Sequence, residues 1–388
     1  MDDAHFKIRL VHGLNEVDPD AWNALANPPG LEFDPFLSWE FLEAMESSGA
    51  ATPHTGWSPH HLLIEWADQG LVGAMPLYLK THSQGEFVFD HSWADAYERA
   101  GGHYYPKLLS AVPFTPVTGR RRLVRPGAPD DARISNALLA GAIQIAQQND
   151  ISSLHINFIE REDAADMDEA GLLIRTDQQF HWHNDGYESF DDFLAVLSSS
   201  KRKNLRKERA KAQEGLTFEH ITGADITEAH WDAFYEFYVD TGSRKWGTPY
   251  LNRETFSLLG ERMSEHLLLI FAMEDGEPIA GALNMIGGNR LLGRYWGTID
   301  PRPMLHFETC YYQAIDFAIE RGLKTVEAGA QGGHKLARGY VPETTYSAHW
   351  IGHEGLASAV EEYLERERLM VEQEAGFLRQ RTPFKKDG

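Results

Sequence analysis

Apolar and polar positions follow one another along the chain in an order that occurs twice. The turn-forming Asp68-Gln69-Gly70 precedes Val72-Gly73-Ala74-Met75, and Asp275-Gly276-Glu277-Pro278 precedes Ala280-Gly281-Ala282-Leu283. Turn residues leading into an apolar run predict a hairpin that feeds a buried strand. Each half then offers an amphipathic helix, a short polar stop and a second apolar strand. In the first half these are 137–148, Asn149-Asp150 and 154–158; in the second they are 308–321, Gly322 and 326–329. Such a repeat predicts two similar α/β units, and paired units of this kind commonly hold a ligand in the groove between them.

Further elements fill in the frame. Phe36, Leu37, Phe41, Leu42 and Met45 predict a helix over 36–47, with Pro35 near its start. Strands are expected over 61–66 and 71–80, then over 172–182. Ser189 is a natural N-cap for a helix over 190–197. A second helix, 201–213, joins the halves. The second half adds a helix over 229–240, strands over 267–273, 279–286, 290–299 and 347–351, and a C-terminal amphipathic helix through Leu356, Val360, Leu364 and Leu378. The expected division is a first unit over 1–190 with an insertion around 86–130, connecting basic helices over 191–215, and a second unit over 216–388. Long irregular insertions in compact domains are more often binding loops than filler.

Composition narrows the class. At 388 residues, with 42% hydrophobic and 24% charged residues, the chain can build two ordinary globular cores. No run is long and apolar enough to span a bilayer, and the acidic start lacks a signal-peptide pattern. Cys310 stands alone, which rules out an intramolecular disulfide and fits a reducing compartment, so a cytoplasmic location is expected. A formal charge of -22 argues against indiscriminate nucleic-acid binding while leaving room for a local basic site.

One local exception is the run from Lys201 to Lys211, which includes Lys203, Arg206 and Lys207. Like charges one turn apart cost a helix roughly 0.2–0.5 kcal/mol per pair. A phosphate-bearing ligand, RNA or an acidic patch of the protein itself would offset that; a solvated linker helix is the alternative. Gly119-Arg120-Arg121-Arg122 precedes the 137–148 helix, where guanidinium groups and free backbone amides suit a pyrophosphate. The densest constellation is Gly329-Ala330-Gln331-Gly332-Gly333-His334-Lys335-Leu336-Ala337-Arg338-Gly339-Tyr340, directly after the strand carrying Glu327. Loops at the carboxyl edge of a sheet are where α/β proteins place ligands. Its glycines permit close backbone approach, Lys335 and Arg338 supply positive charge for an oxyanion or phosphate, and Glu327 or His334 can take a proton. His91, Asp95, Glu98 and His103, or His181 with His183, offer metal-ligand chemistry, but their spacing matches no familiar pattern and no metal is expected. His181, His183 and His91 read instead as polar groups facing a substrate. Cys310 falls in an apolar helical pattern and reads as core.

Taken together, several segments resemble the FemAB-like predicted N-acyltransferases of the GNAT superfamily, relatives of the peptidoglycan-branching aminoacyltransferases. The segments are Asp34-Pro-Phe-Leu-Ser-Trp-Glu-Phe-Leu, Val112-Pro-Phe-Thr-Pro-Val-Thr-Gly-Arg, Ser200-Lys-Arg-Lys-Asn-Leu-Arg-Lys-Glu, Thr241-Gly-Ser-Arg-Lys-Trp-Gly, and the run from Glu327 to Tyr340. The resemblance covers roughly 33–385. It implies two tandem GNAT-like units with mixed β-sheets flanked by helices, and transfer of an acyl group to an amine. It also implies a functional lysine at Lys335 and places the helix between the units at 201–213; Arg338, Tyr340, Arg244 and Trp246, which lie in these segments, are expected to bind substrate. In the branching enzymes the donor is aminoacyl-tRNA and the acceptor a cell-wall precursor. Two features depart from those patterns: there is no room for a coiled-coil arm, and Arg302-Pro-Met-Leu-His-Phe stands where GNAT proteins carry their pyrophosphate signature.

Two donors therefore remain open, acyl-CoA held by Gly119, Arg120, Arg121 and Arg122, or aminoacyl-tRNA held by Lys203, Arg206 and Lys207. Neither is a tightly bound cofactor. The expected reaction is direct attack of the amine, since no activated Ser or Cys is evident. The alternative is a non-catalytic module that binds tRNA or an anionic envelope precursor. The C-terminal helix either packs on the first unit or pairs with another chain.

Overall fold

The computed structural model describes residues 6–128, 130–245, 249–329 and 332–385. Its strands are β1 (Phe6–Val11), β2 (Trp57–Pro59), β3 (His61–Trp66), β4 (Gly70–Met75), β5 (Tyr78–Lys80), β6 (Lys107–Ser110), β7 (Leu123–Val124), β8 (Ser153–Ile159), β9 (Leu173–His183), β10 (Thr217–Thr222), β11 (Leu267–Glu274), β12 (Glu277–Ile286), β13 (Arg290–Thr298), β14 (Thr325–Glu327) and β15 (Val341–Ile351). The chain forms two compact units. Unit 1 takes Met1–Asp177 and Thr344–Glu372; unit 2 takes Gln178–Glu343 and Gln373–Gly388.

In unit 1, β1, β3, β4 and β7 form an antiparallel sheet in the order β1-β3-β4-β7. A second set runs β15-β8-β6-β5-β2, with β6 and β8 parallel. The sequence predicted one strand over 71–80. Pro76 splits it, because proline cannot donate to a ladder; β4 ends at Met75 and β5 pairs instead with β6. Helix Asp131–Gln148 precedes β8 and starts earlier than its apolar pattern, where the Asp130 side chain accepts from the Arg133 amide. The helix expected from Phe36 begins at Trp39, since Ser38 caps it by accepting from the Phe41 amide. Leu62, Ile64, Val72, Leu108, Leu138 and Ile156 meet in the unit 1 core.

Unit 2 repeats that plan as a continuous meander, β10-β11-β12-β13, followed by β14 parallel to β13 and then the end of β9 antiparallel to β14. Between β13 and β14 the chain crosses over through 305–320. The predicted single helix is in fact Leu305–Phe307, a π-helical turn Glu308–Tyr312, and Gln313–Glu320. Such π turns occur disproportionately at functional sites. Trp182, Phe193, Leu268, Leu291, Ile315 and Val326 centre the core. At Gly297 an added Cβ would lie 2.2 Å from the Phe237 backbone, so only glycine lets helix Glu228–Lys245 rest on β13.

Residues 344–372 count with unit 1, whereas the sequence expectation kept 216–388 together. The cause is strand pairing: β15, which follows β14 in the chain, pairs with β8, and β9, which follows β8, pairs with β14. Amphipathic pattern marks a strand but does not name its neighbour. Strand β10 and helices Pro19–Ala26, Arg161–Glu169 and Arg253–Met263 are further elements the pattern had not marked.

Candidate active site

In unit 2, β13 and β14 run in parallel register only from Arg290–Thr325 to Leu292–Glu327. Beyond that point β13 continues beside β12 while the segment after β14 turns away at Ala328 into the glycine-rich loop. Gly293 sits at the divergence, where an added Cβ would meet the Glu327 carbonyl oxygen at 3.2 Å. A cleft of about 80 Å³ opens there, lined by Asn284, Arg294, Trp296, His306, Cys310 and Tyr311 among others.

The loop folds back as a 3-10 turn, Gly333–Arg338, closed by Gly339 in the left-handed conformation at φ 89°. This turn buries Lys335, which is 2% exposed, and its Nζ donates to the Gly329 carbonyl at 2.9 Å. Burial, reinforced by the Arg294 charge, pushes the Lys335 ammonium down to about 8. Arg294, whose charge Lys335 senses, and Cys310 both line the cleft.

Glu327 is also buried, with Arg290 at 3.1 Å and Arg294 at 3.5 Å. Burial pushes its pKa up, but His181, Arg290 and Arg294 outweigh that and hold the carboxyl below its ordinary value. An ionised carboxylate engaged by guanidinium groups is a weak base. Its geometry suits holding Arg294 at the cleft wall. His334 is exposed, and its Nε2 shares a hydrogen bond with the Tyr311 hydroxyl at 2.9 Å. Partial burial, Arg338 and Lys335 all lower its pKa, so the ring is neutral near pH 7 and able to accept a proton.

Other expected site residues take different places. Arg338 is 7% exposed; its Nε and Nη2 donate to Glu208 at 2.9 Å each, and Nη1 donates to the His334 carbonyl at 2.8 Å. Its guanidinium also lies 3.4 Å from the Phe307 ring centroid. Arg338 therefore braces the loop against Glu208 and Phe307. Tyr340 is fully buried beside Tyr311, and its hydroxyl has no hydrogen-bond partner among the described residues. Burial raises its pKa well above the ordinary phenol value, so it is a core ring.

His181 stands opposite Glu327 across the β9–β14 ladder, and burial lowers its pKa. His183 bonds Glu343 at 3.0 Å, and that carboxylate raises its pKa. Arg244 donates to the Thr298 carbonyl at 2.6 Å and borders a second cleft of about 260 Å³ with Thr241, Trp296, Pro301, Leu305 and His306. Trp246 lies outside the described residues. His91 belongs to unit 1, exposed at the first position of helix His91–Arg99.

The pyrophosphate reading of 119–122 meets a physical obstacle. Arg121 is fully buried and donates to the carbonyls of Asn157, Arg120 and Val117. Arg120 donates to the Leu25 and Ala26 carbonyls, and Arg122 to Asp163 at 2.6 Å. The Gly119 amide donates to Phe158, and an added Cβ there would meet Asp34 at 2.8 Å. These guanidinium groups staple unit 1 internally. By contrast, Lys203, Arg206 and Lys207 are exposed on helix Ser199–Ala212, with Arg206 reaching Asp191 at 2.7 Å. No group of three or more metal-binding side chains occurs among the described residues.

Sequence reasoning missed Glu208, Arg294, Tyr311 and the cleft-lining role of Cys310. Glu208 did carry a signal, as the one acid inside the Lys201–Lys211 run. Arg294 carried none, because a single arginine in a strand pattern gives no hint that two strands part beside it.

Comparison with known proteins agrees with this architecture. The FemAB-like family model, described as peptidoglycan biosynthesis/recognition, matches residues 13–386. No curated protein matches the chain. Among solved structures, FemX superposes with a TM-score of 0.54 at 14% identity, covering 91% of this chain and 100% of FemX. The C-terminal domain of a putative lysylphosphatidylglycerol synthetase from Agrobacterium fabrum gives 0.53 at 10% identity, covering 91% of this chain and 96% of that one. A tandem GNAT protein from the clavulanic acid biosynthesis pathway gives 0.46 at 12% identity, covering 90% and 99%. The chain thus shares the fold of FemX and of that synthetase domain.

Proposed function

The chain belongs to the FemAB-like family and is an acyltransferase, and from that premise we propose that it moves an aminoacyl group from aminoacyl-tRNA to an amine of a cell-envelope precursor. The observation that carries this reading is Lys335, buried and cationic at the parting of β13 and β14, in the same unit as an exposed cationic helix. In this reading the acceptor nitrogen attacks the ester carbonyl and a new C–N bond forms. The Lys335 ammonium faces the developing oxyanion, where a fixed donor is worth far more than in water. Neutral His334 takes the proton released by the amine and returns it to the ribose oxygen as the C–O bond breaks.

Aminoacyl-tRNA is favoured over acyl-CoA for a structural reason. The arginines expected to hold a CoA pyrophosphate donate to backbone carbonyls and Asp163, while Lys203, Lys207 and Lys211 remain exposed. No described helix is long and apolar enough to cross a membrane, and a cytoplasmic site of action belongs to the same proposal. The test is thermal shift of the purified protein with deacylated tRNA, aminoacyl-tRNA, acetyl-CoA and longer acyl-CoAs, at low and moderate salt. Ligand that binds only the folded state raises the Tm. A salt-sensitive rise with tRNA, abolished by Lys203→Glu with Lys207→Glu, is the expected outcome. A rise with CoA esters alone would replace the donor, and tRNA binding without transfer to any amine would leave a recognition module.

A further inference from the structure

Helix Ser199–Ala212 has two charged faces that do different things. Its outer face carries Lys203, Arg206, Lys207 and Lys211, all exposed. The opposite face buries Leu205 and Ala212 and carries Glu208 and Arg209 between them. Residues three and four apart share a helix face, so Leu205, Glu208, Arg209 and Ala212 form one contact surface.

That surface is bonded to the loop and to the crossover. Glu208 receives both donors of Arg338 at 2.9 Å, and the Tyr312 hydroxyl at 2.5 Å. Arg209 reaches Glu308 at 3.1 Å and also pairs with Asp316. Arg338 in turn holds the His334 carbonyl, immediately before Lys335, and stacks on Phe307. A planar, bidentate Arg–carboxylate pair fixes orientation as well as distance. The position of the 3-10 turn is therefore set from the basic helix, through a pair that lies three residues from Lys335.

We propose that Glu208 and Arg338 are positioning residues for Lys335, and that an anion seated on Lys203, Lys207 and Lys211 is sensed at Lys335 through this pair. The inference rests on the transfer site proposed above but makes its own prediction about Lys335, independent of turnover. The helix is the moving part: anion docking on one face loads the contacts made by the other.

The test is acetylation of Lys335 by an N-hydroxysuccinimide acetate ester at pH 8, quantified by peptide mass spectrometry on the full chain, with and without deacylated tRNA. Without tRNA, Glu208→Gln should release the turn and raise Lys335 acetylation by about five-fold or more, the lower end of ordinary coupling between sites. The charge-exchanged double variant, Glu208→Arg with Arg338→Glu, should return it toward the wild-type rate, which a merely destabilised loop would not do. With tRNA, the wild-type rate should change by a similar factor, while Glu208→Gln keeps its tRNA affinity and loses that change. Unchanged Lys335 reactivity in Glu208→Gln would overturn the positioning role. tRNA binding with no effect on wild-type Lys335 would overturn the coupling. If tRNA fails to bind the wild type, the donor reading and the coupling fall together, whereas the ligand-free comparison still decides the Glu208–Arg338 role. A circular-dichroism melt of Glu208→Gln separates local release from unfolding.

Discussion

The two units use one plan and treat their charges in opposite ways. In unit 1 the charges beside the parallel β6–β8 pair are sealed inside. The Lys107 ammonium, fully buried at the start of β6, donates to Ser83 at 2.7 Å, Glu86 at 2.7 Å and Asp90 at 2.5 Å. Lys80 lies 3.8 Å from the Trp57 ring centroid, and burial pushes it down to about 7. Burial likewise pushes Glu86 up to about 7. Behind them His155 and His349 share a hydrogen bond at 2.7 Å, both held neutral by burial. In unit 2 Arg294, beside the parallel β13–β14 pair, lines a cleft, and buried Lys335 donates to the Gly329 carbonyl at 2.9 Å where Lys107 meets two carboxylates. A cation wrapped in carboxylates has its charge fully met; a buried cation held by a carbonyl, with another cation for a neighbour, does not. The comparison teaches that duplication of a fold need not duplicate its chemistry.

Replacing Lys107 with methionine breaks the comparison most severely. It leaves Glu86 and Asp90 buried without their main partner, and removing one side of a buried ion pair costs about 3–5 kcal/mol. Chemical denaturation should show that loss, while tRNA affinity per folded molecule stays unchanged. The same exchange in unit 2 should do the reverse. Lys335→Met should leave the fold intact and cut turnover by about 10²-fold or more, measured as single-turnover transfer. Near-normal turnover would remove Lys335 from the mechanism.

A pH series sharpens the contrast. Lysine titrates near 10.5 when unfolded and at about 8 at Lys335, so between those values the unfolded chain binds more protons. Stability therefore rises with pH across that window. Lys335→Met should accordingly be more stable than wild type at pH 7, by a margin that shrinks between pH 8 and 10.5. Turnover should fall as pH rises through about 8, since the ammonium is the working form; turnover that rises there would make Lys335 the base. The smallest effect is expected at Arg122→Gln. Losing its bond to Asp163 should cost about 2 kcal/mol in unit 1 and leave the affinity for any CoA ester unaltered. A selective loss of CoA affinity would restore the pyrophosphate reading of 119–122.

Most of the framework was legible in the chain. The hairpin at Asp275-Gly276, strands over 267–273 and 279–286, and the capped helix after Ser189 all appear where turn and capping chemistry put them. The loop around Lys335 was legible because glycines and cations gathered there after a buried strand. Arg338, in the same run, was read as a ligand contact and is an internal brace. Sequence supplies its charge, but Glu208, more than a hundred positions away, supplies its carboxylate partner. The arginines at 120–122 misled for the same reason: a basic cluster looks identical whether it awaits a phosphate or caps backbone carbonyls.

By itself the sequence determined what is local. Periodicity set most helices and strands, Pro76 broke a strand, and Ser38, Asp130 and Ser189 fixed helix starts through their own side chains. These depend on residues within one or two turns of each other. Tertiary structure alone decided which strand followed which, so that β15 joined β8 and β9 joined β14. It alone parted β13 from β14 to make a cleft, and gave each buried charge its partner. The energy of a buried charge depends on burial and on groups distant in sequence, so a lysine is ringed by carboxylates in one unit and held by a carbonyl near an arginine in the other.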